Sequence, residues 1–401
     1  MSRLLLRALA LACLVCGLLA PTAAAKDAPP QPAAAAWVLI DARDGERLAA
    51  HEPTAQRSIA SATKLMTAYL ALREKNLDKR VPAPAYEALA AESLLGLEEG
   101  ERVSYRELIY ALILASANDG AVTVAEGVSG SVDAFVRKMN AMASRLGLDD
   151  TSYANPIGLD QPGNYSTAAD LAELATILLE DDFFRKVADT EAHTVKTDRA
   201  SRPIVTRDDL LARVPWVTGV KTGFTGDAGN VLVGSGEREG VRLIAVVLGA
   251  PSELARDDGV LSLLEYGFSL YRQVEAVKGR EPLADPPVDS GGTIELVAKR
   301  PVTVSARRDQ NVDSLVDAPP ELEGPVKRGE RLGSVEVTVD GRPAGSSPLV
   351  AASAAPAPSL TDRARNQFPT LVLVGGAVLV IGVAIVIVRR SRRTRGSGGV
   401  A

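Results

Sequence analysis

The chain has 401 residues, enough for two folded domains, because a single hydrophobic core rarely grows beyond about 250–300 residues. Its formal net charge of −5 argues against nucleic acid as a partner, since nucleic-acid binding usually requires a basic surface. The two histidines, His51 and His193, are far apart and lack the spacing of metal ligands, so we predict no metal site, and no cofactor is expected.

The N-terminus has the order of a secretory signal peptide. A basic beginning precedes an apolar run over residues 8–20, and small residues continue to Ala25. We therefore predict a signal peptide over residues 1–25 and an Ala/Pro-rich tether over residues 26–36. Both cysteines lie inside the predicted signal, so the mature chain is expected to contain neither a disulfide nor a thiol nucleophile.

Residues 37–275 have strand-like segments at their ends and helical segments between them, which predicts an α+β domain. An apolar run at 37–41 before the turn signal Asp44-Gly45 indicates a strand pair. Helical spacing of apolar residues predicts helices at four places: from near Ser61, over 105–115, after Asn118, and over 166–180. Consecutive antiparallel strands are predicted over 216–221, 230–234 and 241–248.

A second, smaller domain is predicted over residues 286–350, after a Pro-containing boundary at 281–288. The hairpin signal Asp340-Gly341 and several short strand-like segments indicate an all-β fold. Those segments are 293–297, 302–306, 321–326 and 333–339. Because this region has no catalytic pattern, we expect it to space the first domain from the membrane or to contact partners.

The C-terminal region has the pattern of a membrane anchor. Residues 351–368 form a predicted linker, and residues 370–388 carry no charge over about 28 Å of helix, close to the thickness of a bilayer core. Arginines follow at once in the tail 389–401, which places that tail in the cytoplasm. A single span with the folded domains on the extracytoplasmic side of the cell membrane is expected; a buried core helix is the alternative.

Ser61 and Lys64 form an S-x-x-K pattern at a predicted helix start. A spacing of three residues places both side chains on one helix face, so the amine can reach the hydroxyl. A serine hydroxyl is a weak nucleophile until a base takes its proton, and a lysine serves if burial and positive neighbours lower its pKa. Alone the pattern is weak, because a serine three residues before a lysine is common on solvated helices.

Two further patterns follow in the order that serine acyl-transfer enzymes use. Ser116 and Asn118 form S-x-N between two predicted helices, and Lys221, Thr222 and Gly223 form K-T-G on a predicted strand. Each of the three patterns is found once, and together they are far more specific than any one of them. The local alternative is that the first pair caps a helix and that the last two residues only form a turn.

With these motifs the sequence resembles the low-molecular-weight penicillin-binding proteins that act as D-alanyl-D-alanine carboxypeptidases. The resemblance covers roughly residues 37–352 and includes the stretches 155–160 with 166–170, 219–225 and 327–333. It implies a β-lactamase/transpeptidase-like catalytic domain followed by a small all-β domain. It also implies peptidoglycan stem peptides as substrates and β-lactam antibiotics as covalent inhibitors.

The resemblance implies a role for each motif residue. Ser61 would attack the carbonyl between two D-alanines, Lys64 would take its proton, and Ser116 would pass a proton to the leaving D-alanine. Asn118 would bind the substrate backbone. The terminal carboxylate would be held by Lys221 and Thr222 in K-T-G, with Gly223 beside them. The amides of Ser61 and Phe224 are the expected oxyanion hole, and Arg256 either orients substrate or forms an exposed salt bridge.

Two positions depart from the family pattern. Phe224 and Ile157 stand where relatives often carry histidine, so the rate and pH dependence of deacylation are open. Three other functions remain as alternatives. A β-lactamase is disfavoured because the E-x-x-L-N element of class A enzymes is missing from the sequence. A D,D-endopeptidase would cleave the same kind of bond, and a non-catalytic wall-binding or scaffolding protein is the alternative from another class.

Overall fold

A computed structural model of the chain describes residues 28–362, so the predicted signal peptide, membrane span and basic tail lie outside the described residues. The chain divides into two compact units between Leu270 and Tyr271, whereas the sequence-based limit of the first domain is residue 275. Within residues 28–362 no helix is both long enough and apolar enough to cross a membrane.

A five-stranded antiparallel sheet is the framework of the first unit. The strands of this unit are β1 (Ala36–Asp41), β2 (Arg47–His51), β3 (Arg80–Pro82), β4 (Arg102–Ser104), β5 (Ala192–Lys196), β6 (Ser201–Val205), β7 (Val217–Thr225), β8 (Gly229–Arg238) and β9 (Val241–Ala250). The large sheet has the order β2-β1-β9-β8-β7, and β3/β4 and β5/β6 form separate pairs. Strand β9 is apolar along most of its length because both of its faces are covered.

Helices cover this sheet and contribute most of the core. They are α1 (Lys64–Leu72), α2 (Tyr105–Tyr110), α3 (Asn118–Ser129), α4 (Val132–Arg145), α5 (Ala168–Leu179), α6 (Asp182–Ala188), α7 (Asp209–Arg213) and α8 (Glu253–Ser269). Side-chain caps fix several starts: Ser131, Thr167 and Ser252 each accept a hydrogen bond from an amide three residues ahead. Helix α1 is buried almost throughout, so its first residue, Lys64, enters the core.

The predicted helix near Ser61 begins as a 3-10 turn over Ala60–Thr63 and continues as α1, which ends at Leu72. The predicted helix over 105–115 is α2 followed by a π-helical turn, Ala111–Ala115. The antiparallel order β7, β8, β9 is confirmed. The structure adds the β5/β6 pair and helices α4, α6, α7 and α8, which the sequence patterns did not reveal.

The second unit is all-β, as predicted. Its strands are β10 (Tyr271–Val277), β11 (Pro282–Ala284), β12 (Leu296–Ala298), β13 (Val302–Arg307), β14 (Val312–Asp317), β15 (Arg331–Val339) and β16 (Arg342–Ala351). One sheet has the order β11-β12-β16-β15-β14, and β10 pairs with β13. Residues of several strands, including Leu296, Val335 and Leu349, form a separate small core.

The predicted strand over 321–326 is wrong. Only isolated bridges form there, from Leu322 to Val288 and from Val326 to Ala355. Pro325 interrupts the segment, and a proline has no amide hydrogen to donate to a ladder. The hairpin signal Asp340-Gly341 is confirmed, since it joins β15 to β16.

Candidate active site

Ser61 and Lys64 lie side by side at the junction of the 3-10 turn and α1. The Nζ of Lys64 donates a hydrogen bond to Ser61 Oγ at 3.0 Å and another to the backbone oxygen of Ile157 at 2.6 Å. Lys64 is completely buried, and burial together with the positive charge of Lys221 holds its pKa well below the usual lysine range. A lysine in this state can exist as a neutral amine and accept the serine proton.

A loop at residues 155–160 delivers the Ile157 carbonyl. Asn155 Oδ1 accepts the amides of Ile157 at 3.2 Å and Gly158 at 2.7 Å, and Thr67 on α1 donates to the Pro156 oxygen at 2.7 Å. Gly158 has φ +91°, and a Cβ there would lie 2.0 Å from the Ala60 oxygen. The loop therefore packs directly against the 3-10 turn that carries Ser61, and the Ile157 side chain belongs to the hydrophobic core.

The K-T-G segment forms the opposite wall, on β7. Lys221 is buried and its Nζ donates to the Thr222 oxygen at 2.8 Å. Burial, reinforced by Arg207 and opposed by Asp208, lowers the pKa of Lys221 to about 7. A Cβ at Gly223 would lie 2.9 Å from the Ser61 amide nitrogen, so glycine permits the close approach of β7 to Ser61.

Phe224 follows K-T-G with 65% of its side chain exposed. The strand end beyond it is fixed by Asp160, whose carboxylate accepts the Thr225 hydroxyl at 2.7 Å and the Asp227 amide at 3.1 Å. The loop at 155–160 thus contacts both the 3-10 turn that carries Ser61 and the end of β7.

The S-x-N residues lie where the π-helical turn meets α3, as predicted. Ser116 is buried in a left-handed conformation with φ +59°. A left-handed serine is strained, which is common for a residue held in place for function. The helix cap at Ala117 uses no side-chain hydrogen bond, so capping does not account for this pattern.

Asn118, the last residue of the pattern, is buried beside an acidic loop. Its Nδ2 donates to Glu92 Oε2 at 2.8 Å, and its amide donates to the Ser93 oxygen at 2.8 Å. Glu92 was not identified from the sequence. No spacing rule connects positions 92 and 118, and only the fold brings them together.

A second group of charges lies near Lys221. Arg256 is buried, with 3% exposure, and donates to Asp257 at 2.8 Å, so its interpretation as an exposed salt bridge is wrong. Asp208 caps α7 through Oδ1, which accepts the Leu210 amide at 3.0 Å. Its Oδ2 is buried and finds no hydrogen-bond partner among the described residues. Burial raises the pKa of Asp208 to about 6.

Together these residues have the components of serine acyl transfer. The site has the Ser61 hydroxyl beside a buried lysine, the backbone amide of Ser61, and a strand that approaches this amide closely. Lys221 and the nearby Arg207 add positive charge that suits an anionic group of a substrate.

Comparison with known proteins identifies the family. Residues 22–252, more than half of the chain, match the family model described as D-alanyl-D-alanine carboxypeptidase. The chain belongs to the D-alanyl-D-alanine carboxypeptidase family. Residues 277–357 of this carboxypeptidase match a second model, the C-terminal domain of penicillin-binding protein 5. The interpretation of the sequence as a serine carboxypeptidase of the penicillin-binding class is confirmed.

Relatives match most of this carboxypeptidase. The D-alanyl-D-alanine carboxypeptidase DacF of Bacillus subtilis is 31% identical over 78% of the chain and 84% of its own length. DacC of Escherichia coli is 31% identical over 86% of the chain and 91% of its own length. A crystal structure of penicillin-binding protein 5 from Haemophilus influenzae has 28% identity and a TM-score of 0.59, covering 82% of this chain and 98% of that one.

Proposed function

We propose that this carboxypeptidase removes the terminal D-alanine from peptidoglycan stem pentapeptides through an acyl-enzyme on Ser61. The observation that supports the nucleophile is the 3.0 Å hydrogen bond from the Nζ of the fully buried Lys64 to the Oγ of Ser61, which is only partly buried. Family membership implies a peptidoglycan peptide as substrate and binding of β-lactams.

Acylation begins when neutral Lys64 accepts the proton of Ser61. The Oγ then bonds to the carbonyl carbon between the two D-alanines, and the resulting oxyanion is stabilised by the amides of Ser61 and Phe224. Collapse of this intermediate breaks the carbon–nitrogen bond, and Ser116 relays a proton to the departing D-alanine amine. Water hydrolyses the ester and regenerates the serine. The proton that Lys64 took from Ser61 replaces the one that Ser116 gives to the amine, so Lys64 is neutral again after acylation. It then accepts a proton from the attacking water and returns it to Ser61 Oγ, and burial favours the neutral form that both steps require.

The remaining motif residues bind the substrate. Lys221 and Thr222 hold the terminal carboxylate, with Arg207 strengthening the positive potential around them. Asn118 hydrogen-bonds the peptide backbone. Gly223 allows β7 to approach Ser61, which brings the carboxylate-binding groups and the nucleophile to one substrate.

Acylation and turnover test this function on the purified residues 28–362. Fluorescent penicillin is expected to label the wild type and Ser58→Ala, whereas Ser61→Ala is expected to show no label. Ser58 is a matched control because it lies three residues away and outside the motifs. The wild type is expected to release D-alanine from a pentapeptide. Labelling that survives Ser61→Ala contradicts the nucleophile assignment, and labelling without release favours an endopeptidase or a non-catalytic wall-binding protein.

We also propose that the catalytic unit lies on the extracytoplasmic side of the cell membrane, anchored by residues 370–388. The basic, apolar, small-residue order of residues 1–25 and the arginine-rich tail after the apolar run support this location. The full chain is expected to stay in the membrane pellet in high salt, and a chain ending at residue 368 is expected to leave it. Protease added to spheroplasts should digest the catalytic unit of the full chain; complete protection contradicts the proposed orientation.

A further inference from the structure

Two carboxylates attach the loop at residues 83–101 to the S-x-N turn. Asp119, the residue after the motif, accepts the amides of Leu95 at 2.9 Å, Gly96 at 2.7 Å and Leu97 at 2.9 Å. These three hydrogen bonds fix residues 95–97 of the loop to the start of α3. Glu92 makes the second attachment, to the side chain of Asn118.

Glu92 is half-buried, and both of its oxygens are used. Oε1 accepts the Leu89 amide at 3.0 Å, while Oε2 accepts the Asn118 side chain at 2.8 Å and the hydroxyl of Tyr86. Although partial burial opposes this, the hydrogen bonds from Tyr86, Asn118 and Leu89 hold the pKa of Glu92 below its usual range. The carboxylate is therefore ionised at neutral pH.

An ionised carboxylate can only accept hydrogen bonds, and this fixes the orientation of the neighbouring amide. Asn118 must turn Nδ2 toward Glu92, because its Oδ1 would place two acceptors face to face. The backbone of Asn118 is also held in place, since its amide nitrogen donates a hydrogen bond to the Ser93 backbone oxygen in the same loop at 2.8 Å. Oδ1 and the second Nδ2 hydrogen are then oriented for other partners, and a peptide substrate offers both a carbonyl and an amide.

We propose that Glu92 is a positioning residue for the reaction: it fixes the side-chain amide of Asn118 for the substrate backbone and sets a negative charge opposite Lys64. This inference rests on the proposed function of Ser61, Lys64 and Asn118. Glu92 itself does not contact the reacting atoms, and its effect passes through two groups that do.

The charges that face Lys64 come from four elements. Lys221 on β7 and Arg207 before α7 lower its pKa, in addition to burial, whereas Glu92 in the loop and Asp119 on α3 raise it. When the Glu92 charge is removed, only Asp119 still counteracts the effect of Lys221 and Arg207 on the pKa of Lys64. The pKa of Lys64 is then expected to fall further, so the acidic limb of the acylation profile moves to lower pH.

Three variants separate charge from contact when the rate of acylation by fluorescent penicillin is measured from pH 4 to 9. Glu92→Gln keeps an oxygen for Asn118 and loses the charge, so its acidic limb is expected at lower pH than in the wild type. Glu92→Asp keeps the charge, so the acidic limb of its pH–rate profile is expected to match the wild type. Its shorter side chain loses the hydrogen bond to Asn118, so its acylation rate is expected to fall about tenfold. The exposed Glu99→Gln, on the same loop, controls for loss of one charge and is expected to match the wild type.

An acidic limb of Glu92→Gln that coincides with the wild type overturns the electrostatic role, and a wild-type rate in Glu92→Asp overturns the positioning of Asn118. Thermal unfolding of each variant verifies that the compared proteins are folded. Ser61→Ala is included because it separates the two proposals. If that variant loses all label while both Glu92 variants behave as the wild type, the proposed function stands and the role of Glu92 does not.

Discussion

Gly223→Ala is expected to slow acylation through a steric clash. Backbone strain is not the cause, because Gly223 does not have a positive φ. The new methyl would lie 2.9 Å from the Ser61 nitrogen and 3.1 Å from the Ala60 Cβ. Moving the first distance to an ordinary contact of 3.4 Å requires a displacement of about 0.5 Å. A misplacement of 1 Å can cost about 100-fold in rate, so we expect a loss of about tenfold. Overpacking is also expected to lower the free energy of unfolding by about 1–3 kcal/mol.

The rate of labelling by fluorescent penicillin and the urea unfolding curve measure these two effects separately. Gly226→Ala is the matched control, because it adds the same methyl near the end of the same strand, at a position with no atom within 4 Å. The control is expected to acylate at the wild-type rate. Equal acylation rates for Gly223→Ala and the wild type would refute the argument that β7 must approach the Ser61 amide this closely.

Two further predictions concern ionisable groups. Lys64→Arg replaces an amine that can be neutral with a guanidinium that stays protonated and cannot accept the serine proton, so acylation is expected to fall about 1,000-fold. A residual labelling rate above about 10% of the wild type contradicts the role of Lys64 as base. Burial raises the pKa of Asp208 to about 6, so the contribution of this carboxyl to stability is expected to fall as pH rises from 4 to 7. Asp208→Asn removes this contribution and is expected to raise the free energy of unfolding at pH 7 by about 2 kcal/mol relative to the wild type. Urea unfolding of both proteins at pH 4 and 7 measures the effect. If the free energy changes by the same amount between the two pH values in both proteins, the prediction is contradicted.

The three motifs could be placed from the sequence because each depends on local structure. Ser61 and Lys64 are three residues apart at a helix start, the S-x-N pair lies between helices, and K-T-G lies on a strand with a clear apolar pattern. Such features need only helical or strand periodicity. Their order then indicated one shared site.

Long-range and weakly patterned features could not be predicted. Glu92 meets Asn118 across 26 positions of the chain, a contact for which the sequence has no signal. Helix α8 buries one face, but that face includes Arg256, Asp257 and two glycines, while Leu254 on the other side is exposed, so no apolar stripe marked it. The β5/β6 pair is largely exposed, with Val195 as its single fully buried residue, so an alternating pattern was not visible.

The contact of Lys64 with the Ile157 oxygen has a consequence for how this site can vary. The acceptor belongs to the main chain, so replacing the residue at 157 leaves it in place as long as the loop keeps its path. A substitution at 157 therefore keeps the hydrogen bond of Lys64, whereas an insertion or deletion between Asn155 and Asp160 would move the acceptor oxygen away from it. Selection on this contact would therefore conserve the loop length and the residues that hold its path, Asn155 and Gly158, more than the residue at 157.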